Sequence, residues 1–68
     1  MIPMKSSHLR AIGYNPIAGT LTIAFLDGSS YAYFHVPHAT YAALMKASSH
    51  GIYFHAYIER CYACRRLR

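Results

Sequence analysis

In the first half of the chain, apolar and polar positions alternate with a period of two, interrupted by turn-forming residues. Residues 8–14 (HLRAIGY) predict a first strand, closed by the turn pair Asn15-Pro16. Gly19 opens a second strand over 20–26 (TLTIAFL), rich in β-branched and aromatic side chains. Asp27-Gly28 is a hairpin signal, and 30–36 (SYAYFHV) returns as a third strand. A two-residue turn at Asp27-Gly28 pairs Leu26 with Ser29, Ile23 with Ala32 and Leu21 with Phe34, and directly opposed residues share a face. This register predicts one face of Leu21, Ile23, Phe25, Ala32, Phe34 and Val36. It puts Thr20, Thr22, Ala24, Tyr31, Tyr33 and His35 on the other. A turn at Gly28-Ser29 changes the pairs and leaves both faces as they are.

Beyond Pro37, which ends the third strand and suits the approach to a helix, the period lengthens. Tyr41, Leu44, Met45 and Ser48 fall at helical spacing and define one buried stripe. The run Ser48-Ser49-His50-Gly51 interrupts it, with Gly51 as the expected helix stop. A second, shorter helix follows, with Phe54, Tyr57, Ile58 and Cys61 on one side. The expected fold is α+β: a three-stranded antiparallel meander followed by two helices packed on its aliphatic face, β-β-β-α-α. It forms a single domain over 1–68, with 1–6 and 65–68 as flexible ends.

Size and composition add an expectation of assembly. A chain of 68 residues buries only about 60% of the surface its unfolded form exposes. Yet 54% of the residues are hydrophobic and ten are aromatic (seven Tyr, three Phe). That is more than one thin core hides, so a homodimer is expected. The N-terminus has no apolar stretch of signal-peptide length, the longest apolar run is a strand's length rather than a membrane span, and two cysteines cannot build a secreted disulfide framework. These features place the protein in the cytoplasm, with no membrane partner.

Charge narrows the class of partner. Seven Lys and Arg face only Asp27 and Glu59, a net charge of +5, and such a field attracts polyanions, of which nucleic acid is the commonest in a cell. The candidate binding residues form two groups. Tyr31, Tyr33 and His35 make an i, i+2, i+4 row on the face away from the helices. There the rings either stack on unpaired bases or pack across a dimer interface. Arg60, Arg65, Arg66 and Arg68 concentrate four cations in the last nine positions, and arginine forks match phosphate oxygens. Lys5, Arg10 and Lys46 add to this surface only if they lie on its side.

The remaining chemistry is sparse. Cys61-Tyr62-Ala63-Cys64 is a CxxC preceded by His50 and His55, a set that could hold zinc tetrahedrally. Cys61 falls on the predicted apolar stripe, however, and both cysteines read as small hydrophobes, so no metal and no other cofactor is expected. Five histidines without a free carboxylate partner make no acid–base pair. No nucleophile elbow, phosphate loop or paired carboxylates appear. Neither an enzyme nor a small-molecule substrate is expected.

The run Ile12-Gly13-Tyr14, the strand Leu21-Thr22-Ile23-Ala24-Phe25, Gly28 and the segment Tyr31-Ala32-Tyr33-Phe34-His35-Val36-Pro37 resemble the KTSC domain family. So do Tyr41, Leu44, Ala47-Ser48-Ser49-His50-Gly51, Tyr53-Phe54, Ile58 and Tyr62. The resemblance runs from about His8 to Leu67, and Tyr-x-Tyr followed by Val-Pro is its most specific part. The family is named for the C-terminal extension of some lysyl-tRNA synthetases and also occurs as stand-alone bacterial proteins. The resemblance implies no enzymatic activity and suggests RNA binding. One departure is Tyr62-Ala63-Cys64, where the family tends to read an aromatic after Tyr-Pro. Taken together, these features point to a basic, homodimeric protein that binds DNA or RNA. The alternative is a protein–protein assembly module.

Overall fold

The computed structural model describes residues 2–3 and 8–68. Its elements are β1 (Ile2–Pro3), β2 (Leu9–Asn15), β3 (Thr20–Phe25), β4 (Ser30–Tyr33), α1 (His38–Lys46), α2 (His50–Tyr57) and β5 (Cys64–Arg66). The α+β class and the two helices stand, but the sheet has five strands rather than three. They run in the order β1-β2-β3-β4-β5, every neighbour antiparallel. The two additional strands are only two and three residues long, too short to leave a periodic signature. Arg65 and Arg66, expected in a flexible end, belong to β5, and Leu67 and Arg68 bond on to Ser30. Met1, Met4, Lys5, Ser6 and Ser7 lie outside the described residues.

The β3–β4 turn decides which side chains are buried. Phe25 N–H donates to Ser29 O (2.8 Å) and Gly28 N–H to Phe25 O (3.1 Å), closing a three-residue loop of Leu26, Asp27 and Gly28. Gly28 takes φ +93°, the left-handed residue that such a loop requires. Asp27 Oδ1 accepts from Ser29 N–H and Oγ–H, bracing the loop. One more loop residue than expected shifts the pairing to Ala24↔Ser30, Ile23↔Tyr31, Thr22↔Ala32 and Leu21↔Tyr33. A one-residue slip moves a whole strand's side chains to the opposite face. Tyr31 and Tyr33 therefore join Leu21, Ile23 and Phe25 on the core side, and Ala32 turns outward, the reverse of the expected faces.

Both helices cover that core side. Leu44, Phe54 and Ile58 close over Leu9, Ile12, Leu21, Ile23, Tyr33 and Val36. Each such aliphatic or aromatic burial stabilises by roughly 1.5–3 kcal/mol. β4 ends at Tyr33, three residues earlier than expected. His35 turns the chain with φ +58°, and Val36 N–H donates to Gly19 O while Val36 O accepts from the Tyr14 hydroxyl at 2.7 Å. The helix break also differs. Gly51 sits buried in the first turn of α2, and Ser49 is the cap, its Oγ accepting from Ile52 N–H. Ser48 and Tyr57 are exposed, and Cys61 lies past the end of α2, so none extends a buried stripe. Among the described residues no helix is long and apolar enough to cross a membrane.

Candidate nucleic-acid interface

The face of the sheet turned away from the helices is floored by small side chains. One row of opposed residues runs Pro3, Ala11, Ala24, Ser30, and the next runs Gly13, Thr22, Ala32, Arg65. Apart from Arg65 the rows carry small side chains, and Ala32 among them is buried at 5% exposure.

Three arginines reach this floor for separate reasons. Arg65 opposes Ala32 and so shares its outward face. Arg10 is the extra residue of a bulge, where Leu9↔Phe25 is followed by Ala11↔Ala24. Bulges re-aim a side chain in this way, and Arg10 lines a groove with Thr22, Ala24, Ser30, Leu67 and Arg68. The groove encloses about 540 Å³. Arg68 is held there because its carbonyl accepts from Ser30 N–H (3.2 Å) while Leu67 N–H donates to Ser30 O (2.8 Å). The C-terminal arginines are thus laid along the sheet edge.

No carboxylate opposes these cations. The only ion pair among the described residues is His55 Nδ1 with Glu59 Oε1 at 2.8 Å. Asp27 and Glu59 both line a second concavity that opens beside the core side of the sheet. A floor rimmed by unpaired guanidinium groups can accept phosphate oxygens bidentately.

The other expected site residues are dispersed. Tyr33 is 4% exposed and packs edge-on against Phe54, so it offers no face to a base. Tyr31 is half-buried on the same side, with the Arg66 guanidinium 5.9 Å above its ring. Arg66 alternates with Arg65 and faces away from the groove. His35 is exposed in the loop before α1, Lys46 ends α1 and Arg60 lies in the turn after α2. The tyrosine row and most of the basic list therefore do not form one surface. Arg10, Arg65 and Arg68 do. The floor residues Thr22, Ala24 and Ser30 were not singled out from sequence, because small residues carry no signal until their face is known.

The cysteine–histidine set does not converge either. His50 Nδ1 bonds Leu44 O at 2.8 Å and His55 bonds Glu59. Cys61 and Cys64 are free and exposed, so Cys61 is not on a buried stripe and neither packs as the small hydrophobe expected of it. Among the described residues no group of three or more His, Cys, Asp or Glu is placed to hold a metal.

Similarity to known proteins agrees with this architecture. The chain superposes on the crystal structure of a KTSC domain protein from Yersinia pestis with a TM-score of 0.91 and 34% identity, covering 97% of this chain and 93% of that one. It is 39% identical over 59 residues to a lysine–tRNA ligase of Nostoc, a match that takes in 87% of this chain and 10% of the ligase. It is also 32% identical over 59 residues to a protein of Tsukamurella paurometabola, covering 87% of this chain and 88% of that protein. The KTSC domain model matches residues 5–62, and the chain belongs to the KTSC domain family.

Proposed function

We propose that this protein acts by binding nucleic acid, DNA or RNA, through the helix-free face of its sheet, and that it performs no catalysis. The observation that carries this reading is a groove lined by Arg10 and Arg68, with Arg65 on the same outward face of the sheet and no Asp or Glu side chain in the lining. The similarity to a chain named as a lysine–tRNA ligase supports the same class of partner. Arginine contacts to the phosphate backbone position a ligand without reading its bases, so binding through them tolerates sequence. Tyr33 takes no part in it, and Lys46 and Arg60 contribute only long-range attraction.

We further propose that the protein works as a homodimer. Ile52 and Tyr57 leave apolar surface exposed on α2 (72% and 58%), away from the arginine groove, and burying it against a second copy would present two such grooves to one ligand. Sedimentation at micromolar concentration checks the dimer, and a strictly monomeric species would remove it. The nucleic-acid reading is tested by fluorescence anisotropy with duplex DNA, single-stranded DNA and structured RNA across a salt series. Affinity that is salt-sensitive and lost in the Arg10→Ala, Arg65→Ala, Arg68→Ala triple variant supports it. Absence of salt-sensitive binding by the unmutated protein would leave the assembly-module alternative.

A further inference from the structure

The two edges of the sheet differ in what they offer another strand. β1 carries Pro3, which has no N–H to give. β5 closes the strand order at the other edge, and all three of its residues are exposed. The ladder to β4 fixes which of its main-chain groups are free. Phe34 N–H donates to Ala63 O at 2.9 Å and Leu67 N–H to Ser30 O at 2.8 Å. Residues 63, 65 and 67 therefore turn their main-chain groups towards β4, and in an antiparallel ladder these directions alternate. The N–H and C=O of Cys64 and Arg66 point out of the sheet edge, at the spacing a further strand uses.

Charge selects what can use them. Edge strands are commonly guarded by cationic side chains that repel another strand of the same kind. In a second copy, the antiparallel register that uses all of these groups brings Arg65 directly opposite itself across the two-fold axis. Like charges so placed oppose pairing. Arg66 is engaged elsewhere, its guanidinium 5.9 Å above the Tyr31 ring and its Nε bonded to Arg68 O at 3.1 Å. Arg65 is exposed and has no carboxylate partner among the described residues, since Asp27 holds Ser29 and Glu59 holds His55. It lies between the two outward-pointing residues, at the position where opposed side chains come closest.

We propose that β5 docks an extended acidic segment of a partner protein, which adds to the sheet as a further antiparallel strand. Its main chain exchanges hydrogen bonds with Cys64 and Arg66 and supplies the affinity. A Glu or Asp opposite Arg65 pairs with the guanidinium on the outer face and sets the register. A basic segment meets Arg65 and is rejected. Arg65 also borders the groove of the nucleic-acid reading, but the main-chain groups of the edge do not, and that separates the two.

Amide NMR and hydrogen exchange on the intact protein test this with three peptides. They are acetyl-Thr-Glu-Thr-Glu-Thr-amide, the same peptide N-methylated at its threonines, and its counterpart with Lys in place of Glu. In the free protein the amides of Cys64 and Arg66 should exchange faster than those of Arg65 and Leu67. The acidic peptide should shift and protect Cys64 and Arg66, and the other two should not. Arg65→Glu should weaken the acidic peptide about tenfold, attraction lost and repulsion gained, and admit the lysine peptide. Cys64→Pro keeps every arginine and removes one outward donor, a change an edge strand tolerates. It should weaken the acidic peptide about fivefold, the loss of one hydrogen bond, and leave nucleic-acid affinity as it was. If that variant does not fold, Arg65→Glu decides. Shifts absent at peptide concentrations on the order of 10 mM, or equal binding of the N-methylated or lysine peptide, would overturn the proposal. So would protection of Cys64 and Arg66 on concentrating the protein alone, which would assign the edge to a second copy.

Discussion

The two faces of one sheet are made from alternate residues of the same strands, and they follow different rules. On the inner face Leu9, Ile12, Leu21 and Ile23 are fully buried beneath Phe54, Leu44 and Ile58. On the outer face Gly13, Thr22, Ala24 and Ala32 make a shallow floor for arginines. The inner face is held by area removed from water, the outer one by hydrogen bonds of the ladder and by whatever docks there. The comparison separates stability from binding, and it predicts which substitutions affect which.

The largest effect belongs to the inner face. Phe54 is wholly buried and meets Phe25 and Tyr33 edge-on at 5.5 and 5.4 Å. Phe54→Ala should cost about 3–5 kcal/mol, the transfer free energy plus the cavity left behind. Small domains sit near the bottom of a stability range that starts at about 5 kcal/mol, so thermal unfolding by circular dichroism should show a variant largely unfolded at room temperature. A cooperative melt close to that of the parent would break the distinction between the faces.

Next comes the outer face, where binding rather than folding should respond. Removing Arg10, Arg65 and Arg68 together should reduce the slope of log affinity against log salt by about 2.7 on duplex DNA, at about 0.9 per phosphate contact. Stability should move by no more than about 0.5 kcal/mol per site, as for other surface positions. Arg66→Ala, one residue from Arg65 but on the other face and bonded through Nε to the Arg68 carbonyl at 3.1 Å, is the internal control and should change the slope less than Arg65→Ala. Equal effects of Arg65→Ala and Arg66→Ala would show that strand alternation does not organise the surface.

Periodicity and turn chemistry made the central strands, both helices and the aliphatic core legible. Leu21, Ile23, Leu44, Phe54 and Ile58 are buried as their spacing predicts. The candidate site was not legible, and the reason is one residue of loop. Asp27-Gly28 reads equally as a two-residue turn or as the end of a three-residue turn with a bulge, and the two differ by one in register. That difference sent Tyr31 and Tyr33 inward. The Arg10 bulge and the three-residue β5 are likewise set by pairing partners far along the chain, which local pattern does not encode. The arginines were visible as residues, but not as a group that includes Arg10 and excludes Arg66.

Gly28 can be used to examine that turn directly. It has φ +93° and no atom within 4 Å of an added Cβ, so Gly28→Ala meets no clash and costs only the left-handed backbone penalty, about 1–2 kcal/mol. Denaturant unfolding should report this loss with an unchanged m-value, since the exposed area on unfolding is the same. An Ala variant as stable as the parent would mean the loop can adopt another turn, and the inward placement of the tyrosines would lose its cause.

The smallest effect concerns the charge of the same turn. Asp27 is fully exposed, and its carboxyl lies below the ordinary carboxylate value of 3.8, first because of the two bonds from Ser29 and then through the charge of Arg66. A carboxyl depressed in the folded state contributes stability that is present in full above its unfolded value. The contribution is lost as pH falls below 3.8 through the lower folded value. The informative quantity is a difference between two proteins, because every other acidic group is common to both. Asp27→Asn keeps an oxygen that can accept from Ser29 and removes only the titration. Plotted against pH, the stability of the parent minus that of the variant should be constant from neutrality to about pH 4 and then decline. Added salt should shrink the Arg66 part of it, because an exposed pair is screened. Curves that stay parallel down to pH 2 would show that the Ser29 bonds hold the loop without discriminating between the charged and neutral side chain. The turn, and with it the assignment of faces, would then rest on Gly28 alone.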